Sequence, residues 1–385
     1  MLGQVRQEGP RSSRSLVRGS KQMIGAAHYL LGAVACTITR TEHRGGRMNR
    51  YATLAASLLG GIALNVHAAD APFAKLESLD PRFDALIAPD SKVEMIADDL
   101  LWSEGPLWDA KRKTLLFSDI PRNVVMQWND DHGVSQFLQN SGYTGAAPFT
   151  GKEPGSNGLT FDLQGRLTLC QHGDRRISRR ESNGTMVPLA TSFEGKRLNS
   201  PNDLVFDDKG ALYFTDPPFG LPGTFTDPGK ELSFNGVFRV APDGKITAVV
   251  TDLEAPNGLA FSPDYKTLYV ANARPSLPIW KAYAVKADGS LDAGRVFADS
   301  SKLYHEGDGV PDGMKVDRKG NVFATGPGGV LIYSPDGTLL GRILTGVPTA
   351  NVAFGEGGAT LFITANHRVL RIVTRTRGVP LPVAK

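Results

Sequence analysis

Six short phrases in this chain begin with a side-chain oxygen in the same slot. They are Glu104-Gly-Pro-Leu-Trp-Asp, Asn157-Gly-Leu-Thr-Phe-Asp, Asn202-Asp-Leu-Val-Phe-Asp, Asn257-Gly-Leu-Ala-Phe-Ser, Asp312-Gly-Met-Lys-Val-Asp and the shorter Asn351-Val-Ala-Phe-Gly. The leading residues are two carboxylates and four amides. Brought together, such a set suits a hard cation, because Ca²⁺ takes six to eight oxygens and accepts amide carbonyls beside acids. Two carboxylates also balance one divalent charge. No His or Cys stands in the slot, which argues against Zn²⁺. Ca²⁺ is the expected ion; Mg²⁺, Mn²⁺ and, less readily, Zn²⁺ are the substitutes. Taken singly, each phrase reads more simply as a turn, since Asn-Gly and Asp-Gly are common turn dipeptides. Pro-Asp-Gly also recurs in plain hairpin positions after Pro242 and Pro335. The shared slot is what sets the six apart.

The elements that must position these residues follow from the same repeat. The leading residues stand 53, 45, 55, 55 and 39 positions apart. Each phrase alternates at period two, as a strand does, and a turn and a second strand follow, as in Ala211-Leu-Tyr-Phe-Thr and Thr267-Leu-Tyr-Val. A period near 50 with about four strands per unit predicts an all-β, six-bladed β-propeller. A β-sandwich with appended strands is the alternative, but it leaves the period unexplained. In a propeller the innermost strands line the channel, so the six leading residues should meet at one mouth. The second strands end at Asp119, His172, Asp216 and Asn272, in comparable places that could support the ring. His172 reads equally as a loop-holding histidine, and Asp216 as the start of a turn. The long segment from Pro217 to Phe234 carries Phe219, Leu221, Phe225 and Phe234 and reads as either a lid or a solvent loop.

Composition narrows the field. The 385 residues carry a formal net charge of +4, but the basic excess lies in the first 50 residues, with nine Lys/Arg against two acids. From Asp70 onward 34 basic residues face 37 acidic ones. No basic patch is left to neutralise phosphates, so nucleic acid is not an expected partner. Met48-Asn49-Arg50, the apolar run Tyr51 to Val66 and the small residues around Ala68 have the layout of a secretory signal peptide over 48–68. The apolar run is short for a membrane span. Residues 1–47 read as a mis-called upstream extension or a long n-region, and 69–385 as one propeller domain, periplasmic or secreted, with no stable membrane span. Of the two cysteines, only Cys170 would survive cleavage; this excludes an internal disulfide and reads as a small core residue.

Glu104-Gly-Pro, Leu198-Asn-Ser-Pro-Asn-Asp203, Tyr213-Phe-Thr-Asp-Pro-Pro-Phe-Gly220, Pro256-Asn-Gly258 and Pro311-Asp-Gly313 together resemble the SMP-30/gluconolactonase/LRE-like family, over roughly Val93 to Arg375. The resemblance implies a six-bladed propeller with a divalent cation, usually calcium, held by Glu104, Asn202, Asn257 and Asp312. It leaves Asn157 and Asn351 in nearby supporting roles; His172 and Asp216 are second-choice site residues by their place at the ends of the second strands. Some relatives place an arginine where Ser200 stands here, so a substrate contact of that kind is not carried over. The activity expected is hydrolysis of a sugar lactone of the glucono-1,5-lactone type; Asp312, as a ligand beside the open coordination site, is the expected general base on the attacking water. Phosphotriester hydrolysis by the same fold and a non-catalytic ligand-binding propeller are the rival readings. No Gly-x-Ser-x-Gly elbow is present, so a serine nucleophile lacks its motif.

Overall fold

The computed structural model of the chain describes residues 73–304 and 307–383. The expected extension (1–47) and signal peptide (48–68) lie outside them. Among the described residues no helix is long and apolar enough to cross a membrane. The described residues form six antiparallel sheets of four or five strands, the blades, and a two-stranded ribbon that pairs Ser192–Phe193 with Lys196–Arg197 after blade 2. Blade 1 comprises Ser103–Asp109, Thr114–Asp119, Val124–Asn129 and Gly133–Gln139. Blade 2 comprises Ser156–Phe161, Leu167–Gln171, Arg176–Arg180 and Met186–Ala190. Blade 3 comprises Leu204–Phe206, Leu212–Asp216, Gly236–Val240 and Ile246–Val250. Blade 4 comprises Pro256–Phe261, Thr267–Arg274, Leu277–Ala284 and Arg295–Asp299. Blade 5 runs from Met314–Val316 through Val322–Gly326 and Gly329–Tyr333 to Leu339–Leu344. Blade 6 takes Asn351–Gly355, Thr360–Ala365 and Arg368–Val373 from its own stretch of chain. The first strand of each blade packs on the first strands of its neighbours, so these six strands surround the axis.

Two strands near the start of the described chain were not foreseen from the repeat. Val93–Ala97 becomes the outer strand of blade 6, with Val93 opposite Ile372 and Glu94 opposite Arg371. Lys75–Ser78 adds a fifth strand to blade 5 by pairing with Leu339–Leu344. Neither segment carries the repeat phrase.

The hydrophobic core is divided among the blade interfaces. Each of six clusters of buried side chains fills the space between two neighbouring blades. Period two explains this division. In blade 4, Leu268 and Val270 face blade 3, whereas Tyr269 and Ala271 face blade 5. Both faces of each inner strand are thereby buried, and the strand reads as a nearly continuous apolar run. Cys170 lies in the cluster between blades 2 and 3 and is fully buried, as its sequence context suggested.

The aspartate that ends several phrases also has a clear role. Asp162, Asp207 and Asp317 each accept backbone N–H bonds from the turn that follows. Asp207 Oδ1, for example, accepts from Lys209 at 2.9 Å and from Ala211 at 2.8 Å. This local bonding fixes the hairpin between the first two strands of the blade. It has no part in the channel mouth.

Candidate active site at the channel mouth

The leading residues stand at the start of the innermost strands. Glu104, Asn157, Asn257 and Asn351 are the first or second residue of the first strand in blades 1, 2, 4 and 6. Asn202 and Asp312 precede the shorter first strands of blades 3 and 5 by two residues. In blades 1, 2 and 4 the ladder slips just here, between Glu104 and Leu107, Ser156 and Leu159, and Pro256 and Leu259. A bulge of this kind bends the strand and re-aims its side chains.

The glycine after the leading residue in blades 1, 2, 4 and 5 permits the inner strands to approach. A Cβ on Gly258 would lie 2.3 Å from the Asp312 carbonyl oxygen, and one on Gly105 would lie 2.2 Å from that of Asn157. Hydrogen bonds join the same segments: the Gly158 N–H donates to Asn202 O at 2.8 Å, and the Gly313 N–H to Ala350 O at 2.8 Å. The Asn-Gly and Asp-Gly pairs are therefore contact points between blades rather than free turns.

The side chains that result are buried. Glu104, Asn157, Asn202, Asn257 and Asn351 are all almost fully shielded, while Asp312 keeps partial exposure. Asn351 Nδ2 donates to Glu104 Oε2 and to Asp203 Oδ2, both at 3.4 Å, and its Oδ1 accepts the Val352 N–H at 2.9 Å. Asn351 is thus a brace with its acceptor already used. In contrast, Asn157 Oδ1 and Asn257 Oδ1 are buried without a hydrogen-bond partner. An unpaired buried acceptor costs about 1–3 kcal/mol, so two of them at one mouth call for a partner that donates or coordinates.

Asp203 belongs to this group although the repeat analysis did not count it. It is buried, and in blade 3 it occupies the position that holds glycine in blades 1, 2, 4 and 5. Its carboxylate reaches Asn351 across the mouth. A carboxylate in a glycine slot was the available signal. Glu153, in the segment leading to Asn157, was also missed; its charge reaches both Glu104 and Asp312.

Electrostatics mark the cluster. Burial pushes the Glu104 carboxyl up to about 8; the N–H of Gly105, 2.8 Å from Oε2, opposes the shift, and the charge of Asp203 adds to it. Burial also drives Asp312 well above the usual carboxylate range, assisted by the charges of Glu104, Asp203 and Glu153. Carboxylates crowded in a poorly solvated place hold protons unless a positive charge joins them. Among the described residues, no three His, Cys, Asp or Glu side chains by themselves form a metal-binding group. The donor set is a mixed one of carboxylates and amides, which matches a hard cation better than a zinc-type site. The orphaned amide oxygens and the proton-holding carboxylates fit such an ion.

The ends of the second strands act one layer behind. Asp119 Oδ1 accepts the N–H groups of Leu101 and Trp102 at 3.2 Å, Asp216 Oδ2 that of Asn199 at 2.7 Å, and Asn272 Oδ1 that of Ala255 at 2.9 Å. Each bond fixes the chain two or three residues before a leading residue (Glu104, Asn202 and Asn257 respectively). Asp216 is fully buried, and burial raises its carboxyl to about 7 against the opposing N–H groups of Asn199 and Ser200. His172 does not share this role. It is fully buried, with Nδ1 3.0 Å from Glu153 Oε2. Ser200 ties down the base of the long loop: its hydroxyl donates to Pro217 O at 2.6 Å and accepts the Gly220 N–H at 2.9 Å. That loop is pinned further out by Phe225, which packs edge-on to Phe219 and lies under the Arg274 guanidinium at 4.6 Å.

Six blades closed around an oxygen-lined mouth define a propeller whose functional groups lie at one end of its axis. The chain belongs to the SMP-30/gluconolactonase/LRE-like family, whose model matches residues 102–367. It is 40% identical over 354 residues to a gluconolactonase from Zymomonas mobilis, an alignment that covers 86% of this chain and 99% of that protein. A solved gluconolactonase from Xanthomonas campestris superposes with a TM-score of 0.68 at 34% identity, covering 78% of this chain and 94% of that one. Regucalcin from Agrobacterium tumefaciens, described as a calcium-binding protein, shares the fold with a TM-score of 0.58 at 19% identity, over 77% of this chain and 98% of that one.

Proposed function

We infer that this chain hydrolyses a sugar lactone of the glucono-1,5-lactone type to the aldonic acid. The observation that carries this reading is the match to the Zymomonas gluconolactonase over nearly the whole of that protein and most of this chain. The channel mouth supplies the chemistry. Glu104, Asn202, Asn257 and Asp312 are the residues assigned to hold a divalent cation, Ca²⁺ before Mg²⁺ or Mn²⁺, with Asn157 able to add a fifth side chain to the set. When bound, such an ion supplies Lewis-acid polarisation of a carbonyl oxygen and stabilises negative charge on it. The orphaned acceptors of Asn157 and Asn257 support this assignment.

Asp312 is assigned as the general base. It is the partly exposed member of the ring, and burial together with the charges of Glu104, Asp203 and Glu153 raises its affinity for a proton. A carboxylate with raised proton affinity is the better acceptor from an attacking water. Asp312 takes that proton at Oδ as the water oxygen bonds to the lactone carbonyl carbon. The ring C–O bond then breaks, and the same proton passes to the departing ring oxygen, leaving a hydroxyl and a carboxylic acid. Asn351 keeps Glu104 in place, and the bonds from Asp119, Asp216 and Asn272 keep the strand entries fixed. A test is Asp312→Ala in a pH-stat assay on glucono-1,5-lactone, with and without chelator. The expected loss in kcat is about 10²-fold or more; activity near wild type would remove the base assignment. The layout of residues 48–68 supports a periplasmic or secreted location.

A further inference from the structure

One carboxylate at the mouth is not part of the ring. Glu153 lies four residues before Asn157, on a segment held rigidly from both sides. The Gly155 N–H donates to Ile120 O at 3.0 Å, and the His172 N–H donates to Gly155 O at 3.3 Å. A Cβ on Gly155 would lie 2.5 Å from Ile120 O, and one on Gly173 would lie 2.6 Å from Pro154 O. The backbone around Glu153 therefore has little room to move. Its side chain is 33% exposed, whereas Glu104 and Asp203 are almost completely shielded. Its charge still reaches Glu104 and Asp312. Glu153 is thus both close enough to act on the ring by its charge and partly open to solvent.

Behind it stands His172, with no exposed surface. Its Nδ1 is 3.0 Å from Glu153 Oε2, yet neither ring nitrogen makes an aligned hydrogen bond among the described residues. A buried imidazole without aligned partners is costly. Glu153 Oε2 stands within hydrogen-bonding distance of Nδ1. Catalytic and binding contacts are often loose in an empty site and tighten around a ligand. Gly220 packs closely on the root of this side chain: a Cβ there would lie 2.7 Å from the His172 Cβ, 2.9 Å from its Cγ and 2.8 Å from the Ser200 Cβ. His172 is fully buried, and its Nδ1 is placed to hold one oxygen of Glu153 while the other stays free to accept.

We propose that Glu153 is a specificity-determining residue that accepts hydrogen bonds from the hydroxyl groups of a polyhydroxylated lactone, and that His172 is its positioning residue. The proposal rests on the lactone-hydrolase reading. A carboxylate has only acceptor capacity when ionised, so it suits the hydroxyls of a sugar ring and offers nothing to a bare alkyl lactone. A site built to hydrogen-bond a substrate hydroxyl discriminates strongly against the analogue that lacks it.

The test uses the full chain and its variants E153A, E153Q and H172Q. Steady-state kinetics are measured on glucono-1,5-lactone and on δ-valerolactone, which has the same ring without hydroxyls. Losing a hydrogen bond to a charged group should cost about 10- to 100-fold in kcat/KM for gluconolactone. Most of this should appear in KM, with δ-valerolactone changed less than about 2-fold. H172Q should move gluconolactone in the same direction by less. Equal losses on both lactones, or an unchanged KM for gluconolactone in E153A, overturn the proposal. Calorimetric binding of 1,5-anhydro-D-glucitol, which carries the hydroxyls but cannot be hydrolysed, separates the two readings. If wild type hydrolyses neither lactone, the lactonase reading falls. Glu153 is still judged by binding: weaker binding in E153A supports its role, while undiminished binding in E153A, or none in wild type, refutes it.

Discussion

Asp216 offers a quantitative check on how the site is buried. The carboxyl is fully shielded, one oxygen accepts the Asn199 N–H at 2.7 Å, and the other has no partner. Burial raises it from 3.8 to about 7. Between those values the folded chain keeps a proton that the unfolded chain has released. Folding takes up a proton there, so stability falls as pH rises from about 4 to about 7 and levels off above that. One such proton corresponds to about 1.4 kcal/mol per pH unit. Over the 3 units concerned the ceiling is about 4 kcal/mol, and relaxation around the charge reduces it. Asp216→Asn keeps an acceptor for Asn199 and removes the titration. Its amide donor brings a pH-independent cost of about 1 kcal/mol, so the slope is the measurement rather than the absolute stability. Denaturant unfolding of both proteins at pH 5, 6 and 7, with chelator present, should show wild type losing at least about 1 kcal/mol more than the variant over that interval. Parallel stability curves would refute the argument, and with it the view that this carboxyl is held neutral by burial.

Two further outcomes follow from the ring. Gly258→Ala places a Cβ 2.3 Å from Asp312 O and 2.5 Å from Gly313 Cα, both backbone atoms. It should destabilise by about 3 kcal/mol, at the upper end for overpacking, and displace Asp312 enough to abolish activity, read by the denaturant midpoint and a pH-stat. Calcium at about 100 times its dissociation constant should stabilise wild type by about 2.7 kcal/mol and raise Tm by about 4 °C. Glu104→Gln should lose most of that shift; an unaltered shift would place the ion elsewhere.

The blade count was legible because a propeller repeats its own stabilising contacts. Each inner strand must bury both faces against two neighbours, so the Leu-Ala-Phe and Leu-Tyr-Val patterns recur at fixed spacing. The leading oxygens were legible for the same reason. What the repeat could not display was anything supplied once. Asp203 was hidden inside a phrase already counted through Asn202, and only comparison with the glycine in the other phrases exposes it. Glu153 lies in a connecting segment without periodicity, and its place at the mouth follows from packing against Ile120 and Gly173. The roles of Asp119, Asp216 and Asn272 depend on which backbone N–H each meets, which spacing alone does not determine. The strands Lys75–Ser78 and Val93–Ala97 are short and lack the phrase, so their pairing with blades 5 and 6 was invisible.

That last pairing has a consequence for the making of the molecule. Glu94 and Arg371, which bond at 2.8 Å in the finished blade 6, are 277 residues apart. At a synthesis rate of about 5–20 residues per second, roughly 14–55 s separate the emergence of one from that of the other from the ribosome. For that interval Val93–Ala97 is a strand with its backbone groups unmatched, and a neighbouring nascent chain presenting its own Arg368–Val373 offers the same partner. The geometry that seals one ring can therefore also link two, so crowded expression should favour exchanged dimers joined through blade 6.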